Sequence, residues 1–162
     1  MREWKMRPEE VRNLMNPAFC GRLLFATVSE YQSKVHRAFP FPLVYLILPL
    51  VLPRQIRVKI NSRTKLTSWA QNNQELIYNF GKRANDLIEI TNEALEFMLQ
   101  AGYLVITDSG EIERAETAGN LSKTKNTDDE VKECINKAEN VARWFAATEK
   151  VETIYFCLGV RP

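Results

Sequence analysis

The segment of residues 91–115 constrains the fold most, because it predicts a helix followed directly by a β-hairpin. A Thr-Asn pair can cap a helix over residues 91–101, and Gly102 is the residue type preferred just past a helix end. Residues 103–107 then form an apolar, β-branched run, a turn of Asp, Ser and Gly follows, and residues 111–115 return. We therefore expect a helix, a short strand, a turn and a second strand, in that order.

This order of elements resembles the second half of a winged helix-turn-helix. The predicted recognition helix presents Glu93, Glu96 and Gln100 to solvent and contains no Lys or Arg. A helix that enters the major groove lies among phosphates, which repel two uncompensated carboxylates. The charge of the helix therefore predicts a winged-helix-like unit that contacts protein rather than DNA.

The whole chain is predicted to form one mainly α domain with a small β-wing (α+β), since its 162 residues are enough for a single substantial core. Residues 1–60 are expected to be a helical N-terminal part with a buried Pro-rich apolar segment. Residues 61–116 are expected to be the winged-helix-like part, with helices at its sides. Residues 127–162 are expected to be a long helix and a terminal strand.

The N-terminal part contains two helix starts and one strongly apolar segment. Pro8 is expected to open a helical turn, and Asn16 to cap a helix that runs to about residue 32. Residues 39–53 are the most apolar stretch, with Pro49 in its middle. This stretch is shorter than the roughly 20 residues that a bilayer requires, so we predict a buried central helix and no membrane segment.

The remaining elements follow from capping and periodicity. Asn61 or Ser62 is expected to cap a helix over residues 63–71, and residues 75–88 have the apolar spacing of one amphipathic helix. A polar stretch, residues 116–126, is the predicted loop, after which a long helix with an apolar stripe runs to about residue 148. Residues 152–158 are β-branched and aromatic, which predicts a last strand.

The charges divide into two blocks. Residues 31–74 contain no acid, whereas residues 75–116 contain nine acids against three basic residues. One interpretation is that the blocks pair with each other inside the fold; the other is that the basic block meets nucleic acid or an acidic partner. The basic side chains expected to make such a contact are Arg54, Arg57, Lys59, Arg63 and Lys65.

The sequence offers little chemistry for catalysis. His36 is the only histidine, and Cys20, Cys134 and Cys157 lack the spacing of metal ligands, so a surface histidine and buried reduced thiols are predicted. The glycines are scattered singly, which excludes a Gly-rich phosphate loop. We therefore predict a protein that is not an enzyme and uses no cofactor or metal. Because no apolar stretch follows the charges of the N-terminus, a cytoplasmic location is expected.

Several motifs, taken together, resemble those of a known family. These motifs are NPAFC at residues 16–20, FPFPL at 39–43, LILPLVL at 46–52, RTKL at 63–66 with Trp69, RWFA at 143–146, and LGVRP at 158–162. The combination resembles the small middle component of prokaryotic three-component ABC systems, of the kind that includes Lamassu-type defence. The resemblance runs from about Trp4 to the end of the chain.

The resemblance implies a function as well as partners. In such systems a small middle protein accompanies an SMC-like ABC ATPase and a further effector component. The chain is then expected to be a non-enzymatic adaptor that binds the ATPase, meets DNA only through the complex, and helps to couple sensing of foreign DNA to the effector. The family provides no catalytic residues to carry over.

Two other functions remain as alternatives. A free-standing winged-helix transcriptional regulator would dimerise and bind DNA by itself, against which the acidic recognition helix argues. A nuclease or transferase would need a clustered polar site, which the sequence does not indicate.

Beyond Glu93 and Glu96, two places are expected to contact a partner. Arg143 and Trp144 combine a guanidinium and an indole, a frequent pair at binding hot spots, although Trp144 is equally suited to internal packing under Arg143. Residues 158–162, with Arg161, are expected either to dock on a partner or to fold over the core with Arg161 solvated, because Gly159 and Pro162 are unusual at a strand end.

Overall fold

The computed structural model describes residues 16–119 and 128–161. Within them lie the helices α1 (Pro17–Val35), α2 (Val44–Val51), α3 (Arg54–Arg57), α4 (Leu66–Asn72), α5 (Gln74–Ile77), α6 (Phe80–Asp86), α7 (Ile88–Gln100), α8 (Asp129–Thr148) and α9 (Val151–Cys157). A 3₁₀ turn, Phe41–Leu43, precedes α2, and strands β1 (Leu104–Ile106) and β2 (Ile112–Arg114) follow α7. The predicted turn at Pro8 and the predicted loop beyond residue 119 lie outside the described residues.

Helix α1 is the centre of the fold. It begins as predicted, because the Asn16 side chain accepts a hydrogen bond of 2.7 Å from the amide of Phe19 and Pro17 occupies the first turn. Helices α7 and α8 both pack along it. As a result its buried residues, from Cys20 to Tyr31, occupy nearly every side of the helix.

A glycine allows α1 and α7 to approach closely. A Cβ atom at Gly21 would lie 2.6 Å from Met98 Cγ and 3.3 Å from the carbonyl oxygen of Ala94. Both distances are shorter than ordinary van der Waals contact, and Met98 is itself buried. The missing side chain at Gly21 therefore sets the distance between the two helices.

The apolar segment forms the predicted buried central helix. All residues of α2 except Tyr45 are buried, and Pro49 lies inside the helix. A proline removes one backbone hydrogen bond from a helix, which is tolerated here in a short segment held on all sides. In the part of the chain that the structure describes, no helix is long and apolar enough to cross a membrane.

The amphipathic region before α7 differs from the prediction. Residues 75–88 were expected to form one helix, but the structure divides them into α5 and α6 and starts α7 at Ile88. Asn79 and Leu87 separate these helices, with φ/ψ of −107°/16° and −99°/3°. Phe80, Ala84 and Leu87 are buried, whereas Lys82, Asn85 and Asp86 between them are exposed.

The hairpin after α7 is confirmed, as is a mainly helical fold with a small antiparallel sheet. Val105 pairs with Glu113 at the centre of the register. Phe39 adds an isolated bridge, exchanging backbone hydrogen bonds of 2.8 and 2.9 Å with Ile112. The hairpin is thus fixed to the chain that leaves α1, and the winged-helix assignment itself stays a prediction.

The predicted terminal strand is wrong, because residues 151–157 form helix α9. Ile154, Tyr155 and Leu158 are buried at helical spacing, against α4 and α8, while Phe156 points away from them. The helix ends at Gly159 (φ 67°) in a Schellman motif, in which the amides of Gly159 and Val160 bond to the carbonyls of Phe156 and Tyr155. Packing has overridden the β propensity of the segment.

The close approach at Gly21 gives a stability prediction. Gly21→Ala should lower the free energy of unfolding by about 1 kcal/mol, because overpacking against Met98 outweighs the gain in helix propensity. Gly81→Ala is the matched control, since a Cβ at that helical position would meet only the Gly159 carbonyl at 3.8 Å. Urea denaturation should show Gly81→Ala to be neutral or stabilising, and an equal gain in both variants would contradict the close packing.

Candidate interaction surfaces

Arg57 does not reach solvent, which corrects its predicted role as a surface contact. Its side chain is 3% exposed and pairs with Glu130 at 2.9 Å and Glu133 at 3.1 Å. The same guanidinium donates to the carbonyl oxygens of Val51 at 3.0 Å and Leu52 at 2.7 Å. Arg57 therefore joins the end of α2 to the first turns of α8.

The chain after Arg57 is fixed to α8 and α4 through its backbone. The indole of Trp69 donates to the Lys59 carbonyl at 2.9 Å, and the indole of Trp144 donates to the Thr64 carbonyl at 2.8 Å. Between them, the ammonium of Lys137 donates to the carbonyl of Ile60. These bonds use the inward-facing carbonyls of residues 59–64.

A side chain also organises the turn that follows. The Asn61 Oδ1 accepts hydrogen bonds of 3.0 Å from the amides of both Arg63 and Thr64. This geometry caps a turn, whereas the sequence predicted that Asn61 or Ser62 caps a helix from residue 63; the helix α4 begins at Leu66. With the backbone fixed in this way, Arg54, Lys59, Arg63 and Lys65 are exposed. We call these four residues the basic platform.

Trp144 is buried in the core, which argues against its predicted role in a surface hot spot. Its side chain is buried, with a ring centroid 5.0 Å from that of Trp69. Arg143 beside it is exposed on α8 and pairs with Glu30 at 3.1 Å and Glu139 at 3.7 Å. Of the two interpretations made from the sequence, internal packing of Trp144 is the one that the structure supports.

The face of α7 is partly as predicted. Glu96 and Gln100 are exposed, and the Gln100 amide donates to the Glu96 carboxylate at 3.3 Å. Glu93 is half-buried, so it is less exposed than predicted, and its side chain has an interaction partner. Its carboxylate belongs to the surroundings of Cys20.

The sequence did not predict the apolar part of this face. Phe97 is 42% exposed on α7, and Val105 and Ile106 are each 42% exposed on β1. Helix α7 and strand β1 pack against each other through the turn at Gly102. We call Glu96, Phe97, Gln100, Val105 and Ile106 the acidic–apolar face. The sequence did contain one signal of this face, since Phe97 lies between Glu96 and Gln100, which were expected to face solvent.

Two grooves lie near the end of the chain. One, of about 440 Å³, is lined by residues of α4, α5 and α9 that include Gln71, Ile77 and Phe156. The other, of about 340 Å³, is lined by Tyr45, Ile88, Tyr155 and the exposed Arg161. Val160 packs against the core, so the chain end folds over the body of the protein as far as Arg161.

Among the described residues the three cysteines form no disulfide, and none lies in a candidate metal site. Cys20 and Cys134 are buried as predicted, whereas Cys157 is half-buried. Burial raises the pKa of Cys20 to about 12 and that of Cys134 to about 11, with nearby carboxylates adding to both shifts and Arg57 opposing the second. Over residues 16–119 and 128–161, no group of three His, Cys, Asp or Glu side chains is placed to hold a metal ion. His36 is exposed, as predicted.

A family model matches nearly the whole chain. It describes the ABC-three component (ABC-3C) system Middle Component 3, and the match covers residues 4–162. The chain belongs to this family. No curated protein and no solved structure matches the chain. A middle component of a multi-component ABC system is in keeping with an accessory subunit.

The buried position of Arg57 gives a second prediction. Arg57→Ala should lower the free energy of unfolding by about 3 kcal/mol, because it leaves two carbonyls and two carboxylates without their donor. Lys59→Ala, two residues away on the surface, should change it by no more than about 0.5 kcal/mol. Urea denaturation measures the free energy of unfolding of both variants. Equally small effects would show that Arg57 makes no more of a contribution than a surface residue.

The raised thiol pKa values predict a loss of stability in alkaline solution. The unfolded chain releases thiol protons near the ordinary pKa of 9.0, whereas the folded chain retains them to about 11 at Cys134 and about 12 at Cys20. The two thiols should therefore leave the free energy of unfolding unchanged below about pH 9. Above that pH they should lower it, by up to about 1.4 kcal/mol per pH unit for each thiol, until the folded thiols also ionise. The Cys20→Ala/Cys134→Ala variant, followed by denaturation at each pH, should show a smaller slope. An identical slope would assign the loss to other groups.

Proposed function

We propose that this protein is a non-enzymatic adaptor that binds an SMC-like ABC ATPase through its acidic–apolar face. Membership of the Middle Component 3 family makes the ATPase and effector of an ABC-three component system the natural partners. The proposal includes a role in Lamassu-type defence against phages or plasmids, in which the protein helps to couple the sensing of foreign DNA to the effector.

The observation that carries the proposal is the partial exposure of Phe97 on α7 and of Val105 and Ile106 on the strand that follows it. Partly exposed aromatic and aliphatic side chains with a polar rim have the composition of a protein interface. The carboxylate of Glu96 at the rim disfavours approach to phosphates. A winged-helix-like unit with this face is suited to contact with protein.

Co-expression with the ABC ATPase of the same system tests the proposal. The unaltered chain should co-purify with the ATPase at a fixed stoichiometry. Phe97→Ala/Ile106→Ala should reduce the amount of bound ATPase at least tenfold, because each removes an apolar anchor worth about 1 kcal/mol or more.

The matched control is Phe156→Ala. Phe156 is 85% exposed on α9, away from the acidic–apolar face, so its removal should leave the complex intact. Loss of the ATPase with Phe156→Ala but not with the double variant would move the interface to the groove of α4, α5 and α9. A chain that purifies alone, dimerises and selects a DNA sequence would instead support the transcriptional regulator.

A further inference from the structure

The exposed side chains between Arg54 and Gln74 share one chemistry. Four of them are the basic platform, Val58 is the one apolar member, and the rest are Ser, Thr, Asn or Gln. No acid occurs anywhere in this part of the sequence. Among the described residues, no carboxylate lies within ion-pair distance of Arg54, Lys59, Arg63 or Lys65. By contrast, Lys34, Lys82 and Arg143 are all paired.

We propose that the basic platform binds the phosphodiester backbone of duplex DNA without reading its sequence. Lys and Arg together with Ser, Thr, Asn and Gln are the side chains that contact phosphate and sugar oxygens. The chain that carries these side chains is hydrogen-bonded to helix α8, which fixes the direction in which the platform faces. This inference goes beyond the proposed adaptor function, because it assigns a second ligand to a different surface.

The backbone of the platform is held before any ligand arrives. The carbonyls of Lys59, Ile60 and Thr64 are bonded to Trp69, Lys137 and Trp144, and Asn61 fixes the turn between them. Because the chain is already ordered, binding costs only the freedom of the outward-facing side chains. A fixed backbone with free cations is an arrangement suited to a ligand of repeating negative charge.

Arg57 is buried, but it affects the charge near the platform through the carboxylates that it binds. Glu130 and Glu133 on α8 both contact Arg57, which belongs to the same chain segment as the platform, and carboxylates repel phosphate. Arg57 binds both carboxylates at 2.9 and 3.1 Å. With one positive charge against two carboxylates, Arg57 offsets part of their repulsion while the four exposed cations face solvent.

The chain that carries the platform runs along α8 for a length comparable with several base pairs of a duplex. It follows α8 from the contact of Arg57 with Glu130 to that of Thr64 with Trp144. Those 14 helical steps span roughly 21 Å at about 1.5 Å each. This is the length of about six base pairs at about 3.4 Å each.

The composition of the platform argues against other ligands. Protein interfaces are anchored by aromatic and apolar side chains, whereas here the one aromatic residue, Trp69, is buried with its indole N–H bonded. Single-stranded nucleic acid is bound through aromatic side chains that stack on bases, and none is exposed between Arg54 and Gln74.

Salt-dependent binding of the full chain to a short random-sequence duplex tests the inference. Fluorescence anisotropy between about 50 and 200 mM salt should give a logarithmic slope of roughly −3 to −4, since each neutralised phosphate contributes about −0.9. Replacing all four cations of the platform with Gln should weaken binding at least tenfold at the lowest salt and flatten the slope. Single-stranded DNA of the same length should bind more weakly than the duplex.

The matched control removes the same charge elsewhere. Lys34→Gln, Arg37→Gln, Lys82→Gln and Lys150→Gln, combined in one chain, should retain most of the binding. An equal loss in this control would assign the effect to net charge and overturn the proposal, as would unchanged binding by the platform variant. If the quadruple platform variant does not fold, Lys59→Gln and Arg63→Gln should each reduce the slope by about 0.9.

Co-purification of the ATPase is measured on the same variants. A platform variant that loses DNA but keeps the ATPase supports both proposals. A variant that keeps DNA and loses the ATPase makes the platform a protein contact and overturns the DNA assignment. Retention of the ATPase by the Phe97→Ala/Ile106→Ala variant would overturn only the adaptor proposal, so the two proposals fail separately.

Discussion

The burial of α1 is the constraint on which the rest of the structure depends. Helix α7 packs along it from one direction and α8 from another. Helix α7 carries the acidic–apolar face together with the hairpin, and α8 fixes the chain of the basic platform. The relative positions of the two surfaces are therefore determined by one helix whose central residues, from Cys20 to Val28, are nearly all buried. The absence of a side chain at Gly21 allows α7 to lie close enough for this arrangement.

Local signals in the sequence predicted the elements whose ends are set by nearby atoms. The cap at Asn16, the helix that ends before Gly102 and the hairpin that follows all depend on hydrogen bonds between residues a few positions apart. The buried α2 was predictable because a continuous apolar run of that length has few other places in a small domain. These are the cases in which pattern and packing require the same structure.

The errors come from residues whose role is decided by distant partners. Arg57 has the sequence context of a surface cation, and it is buried because Glu130 and Glu133, 73 and 76 positions later, bind it. Trp144 is internal because the backbone of Thr64, 80 positions away, accepts its indole proton. The terminal helix α9 was predicted as a strand because propensity was weighed without its neighbours. The glycine that made a strand end look unusual, Gly159, is the ordinary residue of a helix C-terminus.

The separation of charge along the chain acquires a physical meaning from this arrangement. Ion pairs of the basic block, at Lys34 and Arg57, are made with Glu30, Glu130 and Glu133, all outside residues 75–116. Within the basic block, Arg57 therefore pairs with the acids of α8, whereas the cations of the basic platform are exposed to solvent. A subunit that must contact both a protein and a polyanion needs surfaces of unlike composition, since a cation-rich surface attracts phosphate and an apolar face with a carboxylate rim does not. Because α7 carries one surface and α8 holds the chain of the other, and both helices pack against α1, the two surfaces are joined through a single packed core.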